Sequence, residues 1–231
     1  MFNLWHSIVE AFRLLASFDP DFRSIVGLSL AVSGISALIS AIGAIPLALT
    51  ITQNEFPGKR AVIGLINSLM AVPAVVIGLL VYLLFSRSGP LGIWQLLYSP
   101  AAMVIAQSLL ALPLMTGLCV SAFQGLPKLV TETMVTLGAN RGQIVCGIVR
   151  ETRFALTAAL ITGLARVLGE TGMTMMVGGN IKGQTRVMTT AIALETMKGN
   201  FELGIALGVV LLAVAVVVNI ALQTTQGKAG Q

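Results

Sequence analysis

The stretch Thr131-Glu-Thr-Met-Val-Thr-Leu-Gly-Ala-Asn140 is short and polar-faced, closes on a glycine, and lies between segments apolar enough to cross a membrane. Pro127 suits the first turn of a helix, and Gly138 suits the left-handed position that stops one. Between them Leu126, Val130, Met134 and Leu137 fall on one face, flanked by Lys128, Glu132 and Thr136. The spacing predicts an amphipathic helix inside a loop at 126–142. Two roles fit such a helix: a knob that seats in a groove of a soluble partner, or a surface helix resting at the membrane interface.

Outside this loop charge is scarce. Mean hydropathy is +0.92 with 10% charged residues, where a soluble domain carries about a quarter, so an ordinary soluble surface is excluded. The runs Ser24–Asn54, Ala61–Ser86 and Leu203–Gly227 contain no Asp, Glu, Lys, Arg or His. About 20 apolar residues at 1.5 Å each cross a hydrocarbon core roughly 30 Å thick. Five spans are expected, over Ile25–Ile51, Ala61–Phe85, Ala101–Phe123, Phe154–Val177 and Leu203–Leu222. The fold class is therefore an all-α membrane protein, with 1–231 forming one domain and 22–222 its membrane core. Pro46, Pro73 and Pro113 fall one in each of the first three spans, where a missing donor bends a helix.

Before the first span, Leu4, Ile8, Ala11 and Leu15 recur at helical spacing beside Trp5 and Phe12. An interfacial helix over 1–20 is expected, with His6 as a plain interfacial residue. Glu10 and the lack of a basic start argue against a cleavable signal. Lys59, Arg60, Lys128, Arg141, Arg150, Arg153 and Lys228 fall on the face of the glycine turn. Arg13, Arg23, Arg87, Lys182, Arg186 and Lys198 fall on the other, which also gathers the acidic residues. This thin bias places the 126–142 loop and the C-terminus in the cytoplasm and the N-terminus outside.

Several function classes drop out. A net charge of +5 without a Lys/Arg run gives nucleic acid no footing. No Gly-x-x-x-x-Gly-Lys-Ser/Thr loop is present, so no nucleotide site is expected. Cys119 and Cys146 follow no metal spacing, and His6 is the single histidine, so neither a metal centre nor imidazole catalysis is expected. The absence of an internal repeat argues against a solo carrier; a homodimer would supply the missing symmetry.

The loop resembles a known signature. Glu132, Gly138 six residues on and Ile148 ten further are similar to the cytoplasmic loop of ABC importer permeases. That signature reads Glu-Ala-Ala, three residues, Gly, nine residues, Ile-x-Leu-Pro. Glu132, Leu137, Gly138 and Ala139 match; Thr133 and Met134 replace the alanines. Arg150 and Glu151 stand where Leu-Pro is usual, so the next span is expected to start as a continuous helix. The stretches Arg153–Ala159, Arg166–Gly172, Val177–Gly183 and Thr185–Thr196 resemble the tungstate-type permeases, relatives of the molybdate and sulfate permeases. The resemblance covers about 22–222. It implies a five-span homodimer, with Glu132, Leu137, Gly138 and Ala139 coupling it to two cytoplasmic ATPase subunits that use the ATP. An extracytoplasmic solute-binding protein would deliver an oxyanion, tungstate first and molybdate or sulfate next. The competing reading is a self-sufficient carrier or channel for small anions.

Arg166 and Glu170 are the ionisable residues well inside an expected span, four apart on one helix face. A charge there costs about 2.5–3.5 kcal/mol on insertion scales, so it faces a cavity or a partner. Both a path or gate element and a packing ion pair fit. Met173, with Met175 and Met176, suits either a flexible gate or core filling. Val187, Ala191, Leu194 and Met197, with Arg186, Glu195 and Lys198 around them, predict a short helix at the outer surface. By resemblance, that is where the binding protein docks.

Overall fold

The computed structural model describes residues 19–227, and among them every regular element is helical. The interfacial helix expected over 1–20 lies, but for Asp19 and Pro20, outside the described residues. Helix α1 (Pro20–Gln53) begins five residues before the expected span. Asp19 caps it by accepting the Asp21 N–H at 2.9 Å, and Pro20 occupies the first turn. Its 34 residues reach about 51 Å at 1.5 Å per residue, more than a membrane core is thick, so α1 tilts or projects.

The second span is not one helix. It divides into α2 (Lys59–Met70) and α3 (Ala74–Phe85), which meet at 95°. Pro73 explains the break: it lacks a donor, and it forces Val72 out of helical geometry. Pro46 and Pro113, by contrast, stay inside continuous helices, α1 and α4 (Pro100–Gln124). Two short helices, α5 (Lys128–Thr136) and α6 (Arg141–Glu151), follow α4. The fourth span also divides, into α7 (Arg153–Leu168) and α8 (Gly172–Gly178), bent by 64°. Helices α9 (Met188–Met197) and α10 (Phe201–Gly227) complete the chain. Three continuous helices (α1, α4, α10) are each long and apolar enough to cross a membrane, and the two broken pairs raise the number to five where each pair makes one span.

The backbone ladder runs from α6 into α7 almost unbroken. The Thr152 N–H reaches the Ile148 carbonyl at 3.0 Å, and the Thr152 carbonyl accepts from Leu156 at 2.9 Å. With Arg150 and Glu151 in place of Leu-Pro, nothing stops the helix there.

The bundle is built around α1 against α4. Small buried residues on α1 (Ser29, Ser33, Ser36, Ser40, Ala44 and Ala48) let the two backbones approach closely. The Ser36 and Ser40 hydroxyls bond back to the Val32 and Ser36 carbonyls and lie 3.3 and 3.0 Å from those of Val104 and Ser108 on α4. Methionines fill the notches that glycines leave. Met115 lies over Gly163 of α7 and Met173 over Gly78 of α3, where added Cβ atoms would approach to 2.1 and 3.0 Å. Long apolar side chains on α1, α3 and α10, such as Ile42, Leu80 and Val217, point outward, as lipid-facing surfaces require.

Candidate coupling helix, membrane break and outer cluster

Helix α5 projects from the bundle on the loop that the glycine pattern marked. The Gly138 φ is +77°, and the N–H groups of Gly138 and Ala139 reach back to the Val135 and Met134 carbonyls at 3.0 Å each, closing the helix. A Cβ on Gly138 would meet nothing within 4 Å. The position therefore requires glycine for its backbone angle and not for space. Asn140 then opens α6 with a reciprocal cap: its side chain accepts from the Gln143 N–H at 2.9 Å, while Gln143 accepts from the Asn140 N–H at 2.8 Å.

The apolar face expected to meet a partner is partly used at home. Leu126 packs on the core, Val130 is half-buried, and Met134 sits over Gly147 of α6. Leu129 and Val135 point outward with Leu137, which is 81% exposed, beside exposed Glu132 and half-buried Ala139. Two large aliphatic side chains on this nine-residue helix, and a third at its C-cap, thus stand free of the rest of the bundle.

Arg166 and Glu170 do not share one helix. Arg166 lies in the last turn of α7, and Glu170 lies in the Gly169–Thr171 break beyond it. The break keeps them together: Arg166 Nη1 is 3.1 Å from Glu170 Oε2, with side chains 43% and 11% exposed. The other carboxylate oxygen accepts the Met173 N–H at 3.4 Å, at the start of α8. The Glu170 carbonyl, freed by the bend, accepts the Thr174 and Thr189 hydroxyls at 3.2 and 3.0 Å. Non-helical backbone at this depth needs such partners. Met173 is fully buried against α3.

On the outer side α9 forms as expected, with Val187 and Ala191 buried and Leu194 half-buried, but two positions are exchanged. Met197 is exposed, and Glu195, expected on the polar surface, is only 5% exposed. Its carboxylate accepts Lys198 Nζ and Asn200 Nδ2 at 3.0 Å each, and Arg186 Nη1 stands at 3.8 Å. Burying the charge is tolerable because two donors bond it and a second cation, Arg186, stands near. The periodicity of α9 could not show this, because Arg186 arrives from the preceding turn.

The family described as "Binding-protein-dependent transport system inner membrane component" matches residues 40–226, most of the chain. The chain belongs to this family. It is thus a multi-pass permease component of an inner membrane, and not itself an enzyme. The permease is 42% identical over 223 residues to a tungstate uptake system permease protein, TupB, of Peptoclostridium acidaminophilum, covering 95% of this chain and 98% of that one. It is 40% identical over 201 residues to a probable anion ABC transporter permease protein of Haloferax volcanii, covering 85% of this chain and 87% of that one. Its fold is similar to that of the MetNI methionine ABC transporter in an inward-facing conformation, with a TM-score of 0.72, 16% identity, and coverage of 88% of this chain and 94% of that one.

The outer cluster of the permease yields a pH prediction. Burial pushes the Glu195 carboxyl up, but hydrogen bonds from Lys198 and Asn200 and the charges of Lys198 and Arg186 outweigh it, leaving it below the usual glutamate range. A lowered folded-state pKa stabilises above the unfolded value of about 4.3, and that stability is lost as pH falls through the lower folded value. Glu195→Leu should therefore cost about 1–3 kcal/mol at pH 7 and progressively less as pH drops below 4. Thermal unfolding in detergent across that range checks it; a pH-independent gap between variant and wild type would contradict the assignment.

Proposed function

We propose that this permease is the transmembrane subunit of an ABC importer for a tetrahedral oxyanion, tungstate first and molybdate or sulfate next. It works as a homodimer. Two cytoplasmic ATPase subunits grip the α5 knobs and consume the ATP, and an extracytoplasmic solute-binding protein delivers the anion. The chain itself binds no cofactor. The N-terminus lies outside and the C-terminus in the cytoplasm, on the side of α5.

The observation that carries this reading is the knob: exposed Leu129, Val135 and Leu137 beside Glu132, locked by the left-handed Gly138 turn and leading into α6 and α7. The near-continuous α6–α7 ladder links the knob to the Arg166–Glu170 break. A push on α5 is carried along α7 to the one place where that span changes direction. The anion class is supported by similarity along nearly the whole chain to a permease named for tungstate uptake. In the mechanism, ATPase closure moves Glu132–Ala139, tilts α7, and opens a path between the two Arg166-bearing helices of the dimer. Glu170 balances the Arg166 charge, and Met173, packed over Gly78 in this structure, closes the path beside it only when the bend repacks.

Reconstitution into liposomes tests the whole assignment. With ATPase subunit, binding protein and ATP present, radiolabelled tungstate should accumulate; without the ATPase subunit, or with this chain alone, flux should fall to background. Anion flux through this chain alone would instead identify a self-sufficient carrier or channel.

A further inference from the structure

A groove of about 400 Å³ opens beside the first turns of α1, bordered by Ser24, Gly27, Leu28 and Ala31 on one side and by Gln184 and Arg186 on the other. The floor along α1 is small and apolar. Among the described residues Arg186 is the only charged one lining the groove, and its side chain is 14% exposed.

The charge on Arg186 is incompletely answered. Its Nε–H is buried and has no acceptor among the described residues. Its carboxylate neighbour, Glu195, stands 3.8 Å from Nη1 and is already held at 3.0 Å by Lys198. One carboxylate thus faces two cations. Lys182, close by in sequence, is a further cation and is paired with Asp21. A buried guanidinium donor without a partner is costly, and an arriving oxyanion would satisfy it. The guanidinium fork matches the paired oxygens of such a group.

The turn that presents Arg186 is rigid. The N–H groups of Gln184, Thr185 and Arg186 converge on the Ile181 carbonyl at 3.1, 3.0 and 3.2 Å. The Ile181 N–H donates to the Thr185 hydroxyl, which donates to the Gly178 carbonyl at the end of α8. The backbone that carries Arg186 is therefore fixed before any ligand arrives, which lowers part of the ordering cost of binding. The Gln184 carboxamide stands exposed at the rim as a second donor. Ser24 is not counted as a donor, because its hydroxyl is spent on the Asp21 carbonyl at 2.8 Å.

We propose that this groove is a subsite for a tetrahedral oxyanion group on the outer face, with the Arg186 guanidinium as its principal donor and Gln184 at its rim. The inference rests on the permease reading and deepens it. The oxyanion has two sources: the transported anion as the binding protein releases it, or the phosphate of an anionic lipid whose chain follows the apolar floor along α1.

The test uses the permease assembled with its ATPase subunit in nanodiscs, of phosphatidylcholine alone or with phosphatidylglycerol. Sodium tungstate binding is followed by calorimetry, and retained phosphatidylglycerol by native mass spectrometry. Gln184→Glu puts a carboxylate at the rim and leaves the Arg186–Glu195 pair intact; Arg186→Lys keeps the charge and removes the fork. Each should weaken retention of the oxyanion at least tenfold. Weaker tungstate binding in phosphatidylcholine discs identifies the transported anion as occupant, and selective loss of phosphatidylglycerol identifies the lipid phosphate. Equal tungstate affinity and equal lipid retention in wild type and a folded Gln184→Glu overturn the subsite, as does a folded wild type that binds neither probe. Failure of the permease reading would look different: the ATPase subunit would not assemble with this chain at all. If Arg186→Lys disturbs folding through Glu195, the Gln184→Glu comparison decides alone.

Discussion

Gly138→Pro should leave this permease inserted in the membrane and abolish ATP-driven oxyanion uptake. The residue sits at φ +77° and donates its N–H to the Val135 carbonyl. Proline fixes φ near −65° and has no N–H, so both features are lost together. The cost of about 3 kcal/mol or more cuts the population of the seated knob about a hundredfold. The surroundings do not complicate the result, because nothing lies within 4 Å of a side chain at this position. Gly138→Asn is the matched control: asparagine tolerates the left-handed region and should keep a substantial share of transport. Uptake and ATPase rate in the same liposomes separate the outcomes. Uptake should vanish while hydrolysis persists uncoupled or the ATPase fails to bind. Wild-type uptake by Gly138→Pro would remove α5 from the mechanism.

The second large effect is expected at the bend of the fourth span. Glu170→Ala removes the partner of Arg166 and the acceptor for the Met173 N–H in one step. The Glu170 side chain is 11% exposed while that of Arg166 is 43% exposed, so solvent screens part of the pair. The combined loss is about 1–3 kcal/mol. A marked drop in the thermal midpoint should come with a larger drop in uptake, because the angle between α7 and α8 is no longer held. Glu170→Gln keeps one acceptor oxygen and turns the other into an NH2 donor, so it answers either Arg166 or the Met173 N–H and should cost less stability than Glu170→Ala. If Ala and Gln variants match wild type in midpoint and uptake, the bend is held by Thr174 and Thr189 alone.

The membrane segments and the knob were legible because both are written locally. Long uncharged runs mark the spans, and the proline–glycine bracket around Lys128–Thr136 marks the helix. Direction within a span was not legible. Hydropathy adds along the chain and says nothing of angle, so Ala61–Phe85 and Phe154–Val177 read as single spans although they bend by 95° and 64°. Nor does the presence of proline suffice: Pro46 and Pro113 sit in helices that continue, and only Pro73 ends one. Arg166 and Glu170 illustrate the same limit. Their spacing predicted a pair and a pair is found, but the second partner lies beyond the helix end. The exposed Leu129 and Val135 went unremarked because the most regular apolar face of α5 turned toward its own bundle. Buried Glu195 was misplaced because its burial depends on donors gathered from separate segments, which no periodicity encodes.

A cysteine at the tip of the knob tests most directly whether a cytosolic motor holds it. Leu137 is 81% exposed and outside the membrane segments, and of the native cysteines Cys119 is buried while Cys146 is exposed. In a Cys146→Ser background, Leu137→Cys should form a short-span crosslink to single cysteines placed along the groove of the ATPase subunit, with a yield that changes between ATP-bound and nucleotide-free states. Absence of any crosslink in an assembled, transport-active complex, or labelling of Leu137→Cys from outside intact cells, would contradict the account.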